Sequence, residues 1–304
     1  MPRIVSLIAS ATEIVCALGF EEQLVGRSHE CDFPESIKRL PVCTAPKFAV
    51  EGSSREIDER VKATLQEATS VYEVDAQLLK ELRPDVIVTQ AQCEVCAVSL
   101  KDVERAVCGW LGSRPRVVSL LPNCLADVWN DIGLVAEALG VPYRGDALVE
   151  ELVGRMTAVV DKVRTLEQRP TVACLEWLDP LMAAGNWMPE LVDLAGGVNL
   201  FGTVGRHSPW LTWEQLRERD PDVIVALPCG FDLERTLREM PALTTHTDWP
   251  RLRAVRERRV FAVDGNQFFN RPGPRLVESL EILAEILHPG IFAYGHEGKG
   301  WRAV

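Results

Sequence analysis

Apolar and polar positions alternate along this chain in short blocks. Residues 3 to 8 are rich in β-branched side chains and predict a first strand. Ser10-Ala11-Thr12-Glu13 sets Ser three residues before Glu, a capping-box pattern, and predicts a helix running through Leu18 and closed by Gly19. Residues 23 to 27 predict a short strand leading into Ser28-His29-Glu30-Cys31-Asp32. Apolar spacing predicts helices over 54–67 and 75–82, a buried strand over 84–89, a helix over 98–111 and a strand over 116–120. Such alternation implies a parallel sheet covered by helices.

The rhythm breaks between residues 125 and 167, which carry a helical pattern interrupted once at Gly140-Val141-Pro142. It then restarts with strands over 170–176, 222–227 and 259–264 and helices over 188–195, 233–240 and 274–287. The halves resemble each other. Leu79-x4-Pro84-Asp85-Val86-Ile87-Val88 matches Leu216-x4-Pro221-Asp222-Val223-Ile224-Val225, and Pro2-Arg3-Ile4-Val5 resembles Pro170-Thr171-Val172-Ala173. The expected organisation is an N-terminal α/β lobe over 1–124, a helical spacer over 125–168, a C-terminal α/β lobe over 169–290 and a loosely ordered tail over 291–304.

The 304 residues, 47% hydrophobic, suffice for about two domains with full cores, which excludes a disordered chain. A net charge of −11 argues against a nucleic-acid surface, which needs basic patches. No apolar run is long enough for a transmembrane helix. The first residues read as a strand rather than a secretion signal, and nine cysteines without such a signal suggest reduced thiols and cytoplasmic residence. Cys16, Cys108 and Cys174 fall in apolar stretches and read as small buried hydrophobes.

In open α/β sheets, ligands bind beyond the carboxyl ends of strands. The segments just past each expected strand are therefore the candidate site. In the first half these are the small-residue stretch Ala9-Ser10-Ala11-Thr12, then His29-Glu30-Cys31, then Gln90 through Cys96. In the second half they are Glu176-Trp177-Leu178-Asp179, Pro228-Cys229-Gly230-Phe231-Asp232 and Asn266-Gln267-Phe268-Phe269-Asn270, with the loops Gly185-Asn186-Trp187 and His207-Ser208-Pro209-Trp210. The chain lacks G-x-S-x-G, a P-loop and H-E-x-x-H, which removes the commoner hydrolase and nucleotide routes.

Ser-Ala-Thr-Glu-Ile at residue 10, Arg-Pro-Asp-Val-Ile-Val at residue 83, a long helical stretch, Pro-Trp-Leu-Thr-Trp-Glu-Gln-Leu at residue 209 and Arg-Pro-Gly-Pro-Arg-Leu at residue 271 occur in that order. Together they resemble the helical-backbone substrate-binding proteins of ABC importers, in the vitamin B12 and iron-siderophore branch. The resemblance covers roughly residues 3 to 288. It implies two Rossmann-like lobes joined by a long spanning helix, a ligand cleft between the lobes, a small-molecule ligand and no catalysis. Its ligand would be cobalamin, a related corrinoid or another metal chelate, and a soluble or transporter partner would accept it.

Against such a ligand the loop tryptophans Trp177, Trp187 and Trp210 offer large flat rings. Glu176, Asn186, Asn266 and His207 offer polar contacts to it, and Phe268 or Phe269, adjacent on an extended segment, can supply one ring between them. Each also has a plainer reading as packing or turn chemistry. Cys93 and Cys96 form a C-x-x-C that suits Zn or an Fe–S centre once two more ligands join it, with Cys31, His29, His207 and Cys229 as candidates. A redox dithiol, or two thiols of no special role, are the other readings of that pair. The corresponding alternative function is a metal- or Fe–S-dependent enzyme or redox protein.

Overall fold

The computed structural model describes residues 1–67, 70–91, 100–108 and 115–304. In chain order its elements are β1 (Ile4–Ser6), α1 (Ala9–Ala17), β2 (Leu24–Arg27), β3 (Thr44–Pro46), α2 (Ser54–Glu67), β4 (Tyr72–Val74), α3 (Ala76–Leu82), β5 (Val86–Gln90), α4 (Leu100–Cys108), β6 (Arg116–Leu120), α5 (Leu125–Ala138) and α6 (Pro142–Val163). Next come β7 (Thr171–Leu178), β8 (Leu181–Ala183), α7 (Met188–Leu194), β9 (Val198–Asn199), α8 (Trp213–Arg219), β10 (Val223–Ala226), α9 (Leu233–Glu239), α10 (Pro241–Thr244), α11 (Arg253–Arg256), β11 (Val260–Val263), α12 (Leu276–Leu287) and β12 (Trp301–Ala303).

The chain divides into two compact units. The first holds residues 1–52, 56–122 and 126–151, and the second holds 53–55, 123–125 and 152–304. The first unit carries a parallel sheet in the order β2-β1-β5-β6 and a small antiparallel pair, β3 with β4. Val5, Leu7, Ile87 and Leu79 pack with Tyr72, Val103 and Val107 in one core on a face of that sheet. The second unit carries the order β12-β11-β10-β7-β8, with β9 beside β7. Its strands β7, β10 and β11 are parallel, β8 and β12 antiparallel, and all four residues of β10 are buried.

The repeat in the sequence has a structural counterpart. In each unit a seven-residue helix, α3 or α8, ends on a residue in the left-handed region, Arg83 at φ 45° or Asp220 at φ 38°. Two residues later an aspartate ties the start of that unit's first strand. Asp85 Oδ2 accepts the Arg3 amide at 2.8 Å, and Asp222 Oδ2 accepts the Thr171 amide at 2.8 Å. Asp222 is bound further by the Thr171 hydroxyl (2.7 Å) and the Arg253 guanidinium (2.7 Å). Burial opposes ionisation of Asp222, but these donors outweigh it and hold the carboxyl below its ordinary range. Asp222→Ala should therefore lose about 1 to 3 kcal/mol, and Asp85→Ala about 0.5 to 1.5, in urea unfolding. Equal losses would argue against the difference in their partners.

Two expectations are corrected. Ser10 does not cap a helix. α1 starts at Ala9 after an extended Ile8, so Ser10 lies inside its first turn, with its hydroxyl 3.5 Å from Gln90 Oε1. Nor is the end of the chain loose. β12 pairs antiparallel with β11, and the Trp301 indole N–H donates to Glu285 Oε2 at 2.8 Å. The helical stretch from residue 125 is two helices, α5 and α6, broken at Gly140-Val141, with Pro142 as the first residue of α6. Pro is tolerated there because its missing amide would have no helical partner. No helix among the described residues is long and apolar enough to cross a membrane.

Candidate functional site

In the first unit the expected strand-end residues gather at the carboxyl end of β2. Arg27 shapes the loop, its Nη1 donating to the carbonyls of Ser28 (3.0 Å) and Cys31 (3.1 Å) and its Nη2 to that of Lys38 (3.1 Å). His29 is bracketed by the small β3–β4 sheet. Its Nδ1 lies 2.8 Å from Thr44 Oγ1, its backbone amide donates to the same oxygen at 3.1 Å, and its ring sits 5.0 Å from that of Tyr72. Tyr72 donates its hydroxyl to Glu30 Oε1 at 2.9 Å.

With the Thr44 hydroxyl donating to Ser28 Oγ at 3.0 Å, Thr44 accepts from His29 and the ring proton is assigned to Nδ1. Nε2 then carries the lone pair; the nearest acid oxygen, Glu30 Oε1, is 4.0 Å away, beyond hydrogen-bond range. Burial, and then the Arg27 charge, push the His29 pKa below 6.5, so the imidazole is neutral at pH 7. The side chain is 23% exposed. A neutral, oriented, partly exposed imidazole is a group able to ligate a metal centre, and the hydrogen bond behind it is of the kind that orients such a ligand.

The cysteines are placed differently. Cys31 is 1% exposed and receives the Thr12 hydroxyl at 3.0 Å, so it faces inward. Cys93 and Cys96 lie outside the described residues. Cys229 is exposed in the second unit. Among the described residues no group of three His, Cys, Asp or Glu side chains could hold a metal ion. Burial pushes the thiols of Cys16 and Cys174 up to about 12 and that of Cys43 to about 11, which leaves all three protonated and unreactive.

In the second unit the carboxyl ends of β7, β10 and β11 carry the other expected residues. Trp177 is half-buried, donates its indole N–H to the Ser54 carbonyl at 3.1 Å, and lies 5.3 Å from the Phe231 ring. Phe231 is covered in turn by the Arg235 guanidinium at 3.9 Å. Glu176 Oε2 accepts the Ser208 hydroxyl at 2.8 Å, and Ser208 Oγ also accepts the Gly185 amide at 3.1 Å. Trp210 is 55% exposed, bridged to Met182 through the backbone, and His207 is exposed with Nδ1 3.0 Å from the Ser208 carbonyl. Asn186 turns the chain at φ 52°. Trp187, by contrast, is 5% exposed and donates to the Phe269 carbonyl at 2.7 Å, so it packs inside the unit.

The β11–α12 loop is the most tightly built part of this edge. Asp264, buried, accepts the amides of Asn266 (3.0 Å) and Gln267 (2.7 Å). Gly265 passes so close to the preceding strand's loop that a Cβ would meet the Pro228 carbonyl oxygen at 2.3 Å. Asn270 Nδ2 donates to the Leu227 and Gly265 carbonyls, both at 2.9 Å, and Arg271 donates to Asn266 Oδ1 at 3.0 Å. Of the adjacent pair, Phe269 is fully buried and Phe268 half-buried. Sequence reasoning misses the roles of Thr44, Tyr72 and Asp264. Tyr72 and Thr44 lie in three-residue strands with no periodic signal, whereas Asp264 ends a strand that the sequence does predict.

A parallel sheet in each half, ligand-competent groups on strand ends and a helix-rich middle define a solute-binding architecture. The chain belongs to the periplasmic binding protein family, which it matches over residues 4–266. It is 23% identical over 298 residues to the ABC transporter substrate-binding lipoprotein YvrC of Bacillus subtilis, covering 95% of this chain and 81% of that one. It is 22% identical over 289 residues to the vitamin B12-binding protein of Vibrio parahaemolyticus, covering 93% and 88%. Its fold matches the periplasmic heme-binding protein RhuT of Roseiflexus sp. RS-1, solved in its apo form, with a TM-score of 0.69 at 24% identity over 95% of this chain and 99% of that one.

Proposed function

We propose that this protein is the substrate-binding component of an ABC-type importer and that its ligand is a metal-carrying macrocycle, haem or a corrinoid. The observation that carries the reading is His29: a neutral imidazole, oriented through Nδ1, whose Nε2 is available to an iron or cobalt centre. Relatives named for vitamin B12 and for haem support the ligand class. In the second unit, Trp177, Trp210 and Phe268 are our candidates for apolar contact with a ligand of this class, and Glu176, Asn186, Asn266 and His207 for polar contact. The metal here belongs to the ligand. The enzyme alternative finds no support in the relatives, which are named as binding proteins.

Titration of the purified chain with hemin and with aquocobalamin, followed in the visible spectrum, is the test. One of the two should give a saturable change in the metal-centred bands. His29→Ala should abolish that change and weaken binding at least about tenfold, equivalent to about 1.4 kcal/mol. Saturable binding with the same spectrum in His29→Ala would remove His29 from the site. Binding of neither compound would sink the ligand class.

A further inference from the structure

The C-terminal segment reaches the β11–α12 loop through the side chain of His296. In the β11–α12 loop Phe269 has φ 33°, a left-handed conformation costly for an aromatic residue. It is held there from both sides: its amide donates to Ser279 Oγ at 3.0 Å, and its carbonyl accepts the Trp187 indole at 2.7 Å. With Phe269 pinned inward, Phe268 is left half-buried past the carboxyl end of β11. Two groups steady its ring. The Arg275 guanidinium lies 5.3 Å from the ring centroid, and the His296 ring meets it edge-on at 6.2 Å and 68°.

His296 is itself fixed. Its Nε2 donates to Glu281 Oε2 at 3.1 Å, and Glu281 also takes Arg155 Nη2 at 2.9 Å. Burial opposes the charge on Glu281, but these two bonds outweigh it and keep the carboxyl ionised. The turn before His296 is held by Glu285, whose Oε1 accepts the Gly295 amide at 2.7 Å and whose Oε2 accepts the Trp301 indole. The contacts converge on one rigid histidine behind one half-buried ring. We propose that His296 is a positioning residue for Phe268, which makes the C-terminal segment part of the ligand-binding apparatus. The link to ligand rests on Phe268 serving the proposed macrocycle site; the link to the loop does not.

The experiment uses the full chain with His296→Ala, His296→Phe and His296→Gln, each checked by thermal melting. Amide hydrogen exchange at residues 266–269 is measured without ligand, and hemin and aquocobalamin affinities are measured by titration. His296→Ala should speed exchange in the loop severalfold and weaken binding about threefold to tenfold, about 0.7 to 1.4 kcal/mol. His296→Phe keeps an aromatic edge against Phe268 and should recover most of both losses. His296→Gln keeps a donor for Glu281 without the ring and should behave as the alanine variant does. Unchanged exchange in His296→Ala, or full recovery by glutamine, overturns the proposal. If the wild-type chain binds neither compound, the functional reading fails, and the exchange measurements alone decide whether His296 sets the loop.

Discussion

Trp187→Ala should lower stability by about 3 to 5 kcal/mol, the range for removing a large aromatic from a packed core. The ring is 5% exposed, at the start of α7, and its N–H is the donor to the Phe269 carbonyl. Deletion would open a cavity and leave that carbonyl unsatisfied beside a residue already held at positive φ. Trp187→Phe separates the two effects. It keeps most of the ring volume and should lose about 1 to 3 kcal/mol, the scale of a buried acceptor left without its donor. Urea unfolding checks both, provided the slope against denaturant stays constant. A loss below about 1 kcal/mol in Trp187→Ala would contradict a core role and restore the ring as a candidate ligand contact.

The contrast between Trp187 and His29 shows how much of this molecule is legible in its sequence. Regular elements with strong periodicity read well: the helix over Ser54–Glu67 and the strand over Arg116–Leu120 have the expected bounds, and the helix break falls at Gly140-Val141. These depend on local propensity and on a single buried face. Short elements whose partners are remote do not read. β3 and β4 have three residues each and exist because they pair with one another, and β12 exists because β11 offers it an edge. The same limit governs the site. That His29 follows a strand is visible locally, but its orientation comes from Thr44 and Tyr72 on a strand pair that no local pattern marks. Cys31, two residues on, has the same sequence context and turns inward to Thr12. Ser10-Ala11-Thr12-Glu13 has the spacing of a capping box, yet its hydroxyls are taken by Gln90, Ile8 and Cys31, contacts that the four-residue pattern does not encode.

Asp131→Asn should stabilise the protein at alkaline pH and do little in acid. Asp131 lies in α5, 3% exposed; one carboxylate oxygen accepts the Leu121 amide at 3.3 Å, and the other has no partner among the described residues. Burial is the main cause that pushes its pKa from 3.8 up to about 7; the Leu121 bond opposes it, and the neighbouring Asp127 charge adds to it. Because the folded-state value is the higher one, the folded protein holds a proton that the unfolded chain has already lost between about pH 4 and 7. Stability contributed by this residue is therefore fully present below about pH 4, declines through that window and is lost above about 7. Each tenfold change in ionisation is worth about 1.4 kcal/mol, so the complete loss approaches about 4 kcal/mol. Asparagine keeps an acceptor for the Leu121 amide and cannot ionise. The variant should thus gain about 2 to 4 kcal/mol over the wild type at pH 8.5 and lie within about 1 kcal/mol of it at pH 4. Urea unfolding at the two pH values measures the difference. A pH-independent effect would mean that Asp131 titrates at its ordinary value and that water reaches the orphaned oxygen.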